Sequence, residues 1–184
     1  MIKVPKKEKK IFSNADFELM NWACVCIRDR AILHFLRSTG CRVGEVVGLD
    51  REDVDTESFE CVVRGKGNKE RTVYFDARTK VHLSNYLESR TDSNPALFVT
   101  LSKPHERLQI SGVEIRLKKI GESLGLNNVH PHKFRRTLAT RAIDKGMPIE
   151  QVQTLLGHQK IDTTLEYAMV NQQNVKTSHC RYIC

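Results

Sequence analysis

The chain has 184 residues, of which 40% are hydrophobic and 28% are charged, a composition typical of a globular domain large enough to bury a core. No apolar run approaches the roughly 18 residues of a membrane span, and no secretory signal follows the first residues, so we expect a cytoplasmic protein. Thirty Lys and Arg against 22 Asp and Glu leave a net charge of +8, which favours a polyanionic partner.

The positive charge is concentrated at the amino terminus. Five lysines and one glutamate lie in residues 1–10, a net +4 of the total +8. These lysines are Lys3, Lys6, Lys7, Lys9 and Lys10. We interpret residues 1–11 as a basic linker or solvated tail, whose lysines are candidate contacts to a phosphate backbone.

Neither the cysteines nor the histidines predict a metal site. The six cysteines are Cys24, Cys26, Cys41, Cys61, Cys180 and Cys184. They form no C-x-x-C pair and match no zinc-ligand spacing, so we expect reduced thiols. His130 and His132 flank Pro131, but no neighbouring Cys or acidic residue completes a ligand set. We therefore expect no metal and no cofactor.

The first forty residues predict helices. Ser13 or Asn14 can cap a helix through residues 19–27, and residues 29–37 continue the helical pattern until Gly40 stops it. A further short helix is expected at residues 43–48, followed by an acidic turn at residues 50–55.

A β-hairpin follows the acidic turn. Residues 61–63 and 72–75 have the β-branched and aromatic character of strands, and the turn-forming sequence GKGN at residues 65–68 joins them. This arrangement places Lys66 near the tip of the hairpin. Helical periodicity returns over residues 77–87, and the apolar run 96–99 comes after a loop.

The carboxyl-terminal half predicts four more helices. Ser111 and Glu114 match the S-x-x-E capping box at the start of one helix, in which Val113, Leu117, Ile120 and Leu124 form an apolar stripe. Pro131 fits the first position of the next helix. Pro148 begins a short helix that Gly157 ends, and Asp162 can cap a last helix that runs past Tyr167. The predicted fold class is mainly α with a small antiparallel β-sheet (α+β).

Single polar residues on these elements have ordinary explanations. His132, Arg135 and Arg136 share one helical face, which would be an exposed basic surface. Arg42 can pair with Glu45 three residues later, a surface contact of little energetic value.

Their combination is more informative, because four motifs occur in one order. The motifs are TGCRVGE at residues 39–45, GKGNKER at 65–71, PHKFR at 131–135 and LLGH at 155–158, with Tyr167 nine residues after His158. This set resembles the tyrosine recombinase (phage integrase) family over residues 12–171. The resemblance implies the catalytic-domain fold and a site-specific DNA recombinase that cleaves and rejoins strands through a 3′-phosphotyrosyl intermediate.

The resemblance also implies the active-site residues. They are Arg42, Lys66, His132, Arg135, His158 and the nucleophile Tyr167. The residue types suit the chemistry, since two arginines can stabilise charge that grows on a phosphodiester. His132 is the expected base, His158 a donor to the phosphate, and Lys66 the general acid for the leaving hydroxyl. Arg136, which stands where the family often has histidine, is a candidate DNA contact, and Cys41 replaces a bulky aliphatic residue.

The same resemblance predicts the partners of the chain and which part of a recombinase it represents. We expect double-stranded DNA and a homo-oligomer on it, a tetramer in the synapse and a monomer when isolated. Residues 172–184 are expected to be either a frayed terminus or a tail that is exchanged between protomers. Family members usually carry an amino-terminal DNA-clasping domain, so the chain is expected to be a fragment of a longer recombinase or a short single-domain invertase. A non-catalytic DNA-binding module and a relaxing topoisomerase remain as alternatives.

Overall fold

A computed structural model describes residues 11–65, 67, 69–158, 164–165 and 180. In these residues the elements are α1 (Asn14–Ala23), α2 (Ile27–Thr39), α3 (Val43–Gly48), a 3-10 turn (Arg51–Asp53), β1 (Val54–Asp55), β2 (Glu60–Arg64), β3 (Glu70–Tyr74), α4 (Ala77–Glu88), α5 (Ile110–Ser123), α6 (Pro131–Asp144) and α7 (Ile149–Leu156). The predicted mainly helical α+β architecture is confirmed. None of the helices in these ranges is long and apolar enough to cross a bilayer.

Helix α2 lies at the centre of the fold. It packs against α4, α5, α6 and β3, and every residue from Ala31 to Leu36 is buried. A helix that is covered on several sides needs apolar residues all round rather than on one stripe. Phe35 and Phe98 are among the largest of the fully buried side chains, and their rings meet edge to face.

The sheet is a three-stranded antiparallel ribbon in the order β1-β2-β3. The predicted hairpin is present, with Cys61 opposite Val73 and the amide of Gly65 donating to the carbonyl of Lys69 across the turn. The acidic stretch predicted as a turn instead contains the 3-10 turn and β1, because Val54 pairs with Cys61 at the outer edge of the ribbon.

Two helix starts differ in how well local sequence predicts them. Ser13 caps α1 as expected, and its Oγ accepts from the amide of Asp16. The capping box predicted at Ser111 is wrong, since α5 begins at Ile110 with Gln109 as its extended N-cap. The amide of Leu108 donates to the carbonyl of Phe98, which keeps the chain extended up to the helix and moves the start ahead of the serine.

Two glycines with positive φ end α2 and α7, the helices that flank the candidate site. Gly40 ends α2 with φ of 62°, and Gly157 ends α7 with φ of 64°. Both conformations favour glycine because a Cβ is strained there. A Cβ on Gly40 would also lie 2.6 Å from Cδ2 of Leu138, so the end of α2 closely approaches α6.

The last described helices form a small cluster beside the main core. Val152 and Leu156 of α7 pack with Ala139 of α6, and Leu138 covers them. Residues 164–165 are helical, while the predicted cap Asp162 lies outside the described residues. This cluster fixes α7 against α6 and so positions the sequence LLGH.

Candidate active site

Arg42 lies at the N-cap of α3, where its backbone and its side chain both bind Glu45. Its amide donates to Oε2 of Glu45 at 2.7 Å, and its Nη1 donates to Oε1 at 3.0 Å. Nη2 reaches the carbonyl of Gly157 at 3.3 Å. The expected Arg42–Glu45 pair is present, but it is not a surface pair, because the Glu45 side chain is 4% exposed while that of Arg42 is 40% exposed.

Arg71 of β3 is the second partner of the buried Glu45. Its Nη1 and Nη2 donate to the two carboxylate oxygens at 2.6 and 2.8 Å, a bidentate geometry. Burial alone raises the pKa of Glu45, but the hydrogen bonds from Arg71 and Arg42 outweigh it and hold the pKa below its usual value. Glu45 is therefore a fixed anion between two arginines.

Arg135 of α6 is among the most deeply buried residues. Its Nη1 donates to the carbonyl of Gly40 at 2.8 Å, and its Nη2 donates to the carbonyl of Leu156 at 2.6 Å. The interpretation of an exposed basic face is wrong at this position, where exposure is only 2%. The reason is that α2 and α7 both pack on α6, and their last carbonyls need donors.

The other two residues of that face differ from Arg135. His132 is exposed, and Arg136 is half-buried with an Nε that has no hydrogen-bond partner among the described residues. One small depression is lined by Cys41, Arg42, Val43, Pro131, His132 and Arg135. The structure thus brings together three of the predicted site residues from two motifs that are some ninety positions apart in the sequence.

Cys41, which stands where the family often has a bulky aliphatic residue, has a packing role. Its side chain is buried beside the depression, and burial raises the pKa of the thiol to about 11. A thiol that stays protonated at neutral pH is a poor nucleophile. Cys41 therefore serves as a small apolar side chain, and the described cysteines are free thiols.

His158 follows the end of α7, directly after Gly157. Its amide donates to the carbonyl of Gln153, and its Nδ1 pairs with Oγ1 of Thr164 at 2.8 Å. Burial, and then the positive charges of Arg135, Arg42 and Arg71, lower the pKa of His158 to about 4. The ring is neutral at physiological pH. In the tautomer in which Nδ1 accepts the threonine proton, Nε2 carries a donor proton.

Several predicted residues lie outside the described part of the chain. They are Lys66, Tyr167 and the five lysines Lys3, Lys6, Lys7, Lys9 and Lys10. Their nearest described neighbours are Gly65 and Gly67 on either side of Lys66, and Leu165 two residues before Tyr167. Within the described ranges, no group of three or more His, Cys, Asp or Glu is placed to hold a metal ion.

Two residues that contact the candidate site, Arg71 and Thr164, were not predicted from the sequence. Arg71 lies in the GKGNKER motif, but no spacing rule links it to Glu45, 26 residues earlier. Thr164, which is fully buried, had no signal of its own. It is recognisable only from the contact between its hydroxyl and the ring of His158, six residues earlier in the sequence.

Comparisons with known proteins agree with this geometry. The family model of the phage integrase family matches residues 6–174. The tyrosine recombinase XerC of Listeria welshimeri is 35% identical over 166 residues, which cover 85% of this chain and 54% of that protein. XerC of Staphylococcus aureus strain JH9 is 37% identical over 153 residues, covering 82% and 51%. The chain thus spans about half the length of these curated relatives.

Solved structures share the fold. The crystal structure of XerA recombinase superposes with a TM-score of 0.83 at 29% identity, covering 99% of this chain and 66% of that chain. XerH recombinase bound to its difH substrate gives a TM-score of 0.78 at 22% identity, covering 98% and 56%, a likeness of fold alone. The family match over most of the chain, together with the convergence of its motifs in space, shows that this chain belongs to the phage integrase family.

Proposed function

We propose that the chain is the catalytic domain of a site-specific recombinase that cleaves and rejoins DNA strands through a 3′-phosphotyrosyl intermediate. The observation that carries the proposal is the convergence of Arg42, His132 and Arg135 on one depression. The similarity to XerC and XerA recombinases supports it. Two arginines and a histidine at one place suit a phosphodiester, whose negative charge repels a nucleophile until fixed cations offset it.

The two arginines contribute differently. Arg135 is held by the last carbonyls of two helices, so its charge is fixed before DNA arrives. Arg42 is anchored through Glu45 and keeps part of its guanidinium exposed, so it can donate to a non-bridging phosphate oxygen. Burial is the first cause of the lowered pKa of His158, and the positive charges of Arg135, Arg42 and Arg71 lower it further. The same positive charges attract a phosphate.

The proposed proton route assigns one role to each remaining residue. The hydroxyl oxygen of Tyr167 attacks phosphorus while His132 takes its proton, and the bond from phosphorus to the 5′ oxygen breaks. Lys66 gives a proton to that departing oxygen. Neutral His158 donates a hydrogen bond to the phosphate. Ligation is the reverse reaction with a new 5′ hydroxyl, and the phosphodiester energy is kept in the tyrosyl link.

Double-stranded DNA is the proposed partner, bound by a homo-oligomer that is a tetramer in the synapse. XerH is described as bound to a difH substrate, and the Tn1549 transposon integrase as bound to a circular intermediate DNA. Arg136 and the lysines of residues 1–10 are proposed contacts to the DNA backbone. The buried Nε of Arg136, which has no hydrogen-bond partner among the described residues, is consistent with a role in binding an anion.

Covalent capture tests the proposal. The complete gene product is incubated with a pool of nicked duplexes of randomised sequence in chelator, and the duplexes that become attached are amplified to define a substrate. Nicking near the cleavage position releases a short oligonucleotide and prevents rejoining. Wild-type protein and Tyr74→Phe, an exposed tyrosine of β3, should form the adduct, while Tyr167→Phe should bind the same duplex and form none. Failure of the wild-type protein to attach to any duplex would favour the non-catalytic module.

A further inference from the structure

Arg71 of the hairpin is bonded to two other elements of the candidate site at once. Its guanidinium makes the two bonds to Glu45, which also holds Arg42. Its Nε donates to the carbonyl of Leu155, near the end of α7, at 3.3 Å. The side chain is only 15% exposed. One residue of the hairpin is therefore bonded both to the element that carries Arg42 and to the element that precedes His158.

The close approach of the backbone to Arg71 shows that this contact is tightly packed. A Cβ on Gly157 would lie 2.9 Å from Cδ of Arg71 and 3.0 Å from its Nε. The turn between α7 and His158 thus passes directly over the arginine, and only a glycine leaves room for it. Any displacement of the Arg71 side chain changes the space beneath that turn.

The same ion pair lies beside the base of the hairpin turn. A Cβ on Gly65 would lie 3.6 Å from Oε1 of Glu45 and 3.9 Å from Nη1 of Arg71. Gly65 is also bonded to the carbonyl of Lys69, which closes the turn. The Arg71–Glu45 pair therefore lies beside Gly65, the residue that precedes Lys66 in the sequence.

We propose that Arg71 is a positioning residue that fixes the hairpin carrying Lys66 relative to Arg42 and His158. The inference rests on the proposed function, in which Lys66 protonates the leaving oxygen. In this role Arg71 does not contact the DNA. Its bidentate bond to a buried carboxylate, with a third bond to a helix end, suits the planar fork of arginine and cannot be reproduced by the single ammonium of lysine.

A purely structural role would affect every chemical step alike, so the test must separate the proton donor from the rest of the site. A substrate with sulfur in place of the bridging 5′ oxygen provides this separation, because a thiolate is a far weaker base than an alkoxide and leaves without a proton. Sulfur should therefore restore cleavage that was lost with Lys66. It should not restore cleavage that was lost with Arg42, which acts on the non-bridging oxygens.

The experiment compares cleavage rates at saturating DNA on the captured duplex with oxygen or sulfur at the bridging position. Lys66→Ala is expected to lose about 100-fold or more on oxygen, the usual contribution of a general acid, and to recover on sulfur. Arg71→Ala should follow the same pattern with a loss of about tenfold or more, and Arg71→Lys should lie between it and the wild type. Arg42→Ala should stay slow on both substrates.

Arg64→Ala is the matched control, since Arg64 is an exposed arginine of the same hairpin, which pairs with exposed Glu70 and, at 3.4 Å, with Asp53. Its rates should equal those of the wild type. Folding is checked by circular dichroism, and if Arg71→Ala does not fold, Arg71→Lys carries the comparison. Near-normal cleavage of the oxygen substrate by the folded Arg71 variants, or a defect that sulfur does not restore, would overturn the proposal. Absence of cleavage by the wild type would instead overturn the proposed function.

Discussion

Replacing either arginine of the proposed active site by alanine should reduce cleavage, but only one replacement should strongly destabilise the fold. Arg42 and Arg135 are both expected to stabilise the transition state, so each alanine variant should lose roughly 100 to 1000-fold in cleavage rate, as for one lost charge-stabilising donor. Their burial differs widely, with 40% of the Arg42 side chain exposed against 2% of Arg135. The two variants should therefore share the loss of cleavage but differ in their free energy of unfolding.

The expected stability losses follow from the partners left behind. Arg135→Ala removes the donors from the carbonyls of Gly40 and Leu156, and an unsatisfied buried acceptor costs about 1–3 kcal/mol. Two such carbonyls amount to about 4 kcal/mol, a large part of the 5–15 kcal/mol typical of a domain. Arg42→Ala leaves Glu45 with its bidentate bond to Arg71, so about 1 kcal/mol is expected.

Urea unfolding followed by circular dichroism measures both losses, and covalent capture at a temperature where both variants are folded measures cleavage. We expect Arg135→Ala to be less stable than Arg42→Ala by about 3 kcal/mol, with both defective in cleavage. Equal stabilities would show that the two carbonyl bonds of Arg135 contribute little. Normal cleavage by either variant would remove that arginine from the active site.

Three further predictions concern other parts of the chain. Gly157→Ala and Gly125→Ala each place a Cβ on a residue with φ of 64°, which should lower the free energy of unfolding by about 1–2 kcal/mol in both variants. Only the Cβ at position 157 also contacts Arg71, so only Gly157→Ala should slow cleavage in the capture assay. Burial lowers the pKa of His34 to about 3, so below pH 6.5 the unfolded chain binds a proton that the folded chain does not, and the stability of the fold decreases as the pH falls. In urea unfolding, the difference in free energy of unfolding between the wild type and His34→Phe should therefore decrease by up to about 2 kcal/mol between pH 6.5 and 5. Deleting residues 1–10 should reduce the slope of log affinity for DNA against log salt by about 0.9 per lost phosphate contact, and an unchanged slope in a filter-binding titration would contradict the role of the lysines.

The helix boundaries were predictable where backbone chemistry dictates them. Gly40, Gly157 and Pro131 mark the ends and the start at which the structure places them, because positive φ and a fixed φ are local properties. The break between α1 and α2 at residues 24–26 carries no turn residue and was not anticipated. The start of α5 also depended on a distant partner, the bond from Leu108 to Phe98, which no local motif contains.

The chemistry of the site was predictable in part. The motifs named Arg42, His132 and Arg135, which the structure brings to one depression, and the spacing of three residues anticipated the bond between Arg42 and Glu45. The burial of Arg135 was not predictable from its helix face, because it results from two carbonyls at the ends of other helices. The bond from Arg71 to Glu45 likewise crosses 26 residues of sequence and depends on the sheet register.

Mass spectrometry of the captured adduct tests the central claim most directly. The wild-type protein, attached to its selected duplex in the presence of chelator, is digested with protease and nuclease, and the peptide that carries the residual nucleotide is sequenced. We expect a single modified residue, Tyr167, linked to the 3′ phosphate of the cleaved strand. A nucleotide attached to Tyr74, Tyr86 or Tyr182, a 5′ linkage, or cleaved DNA without any attached peptide would contradict it.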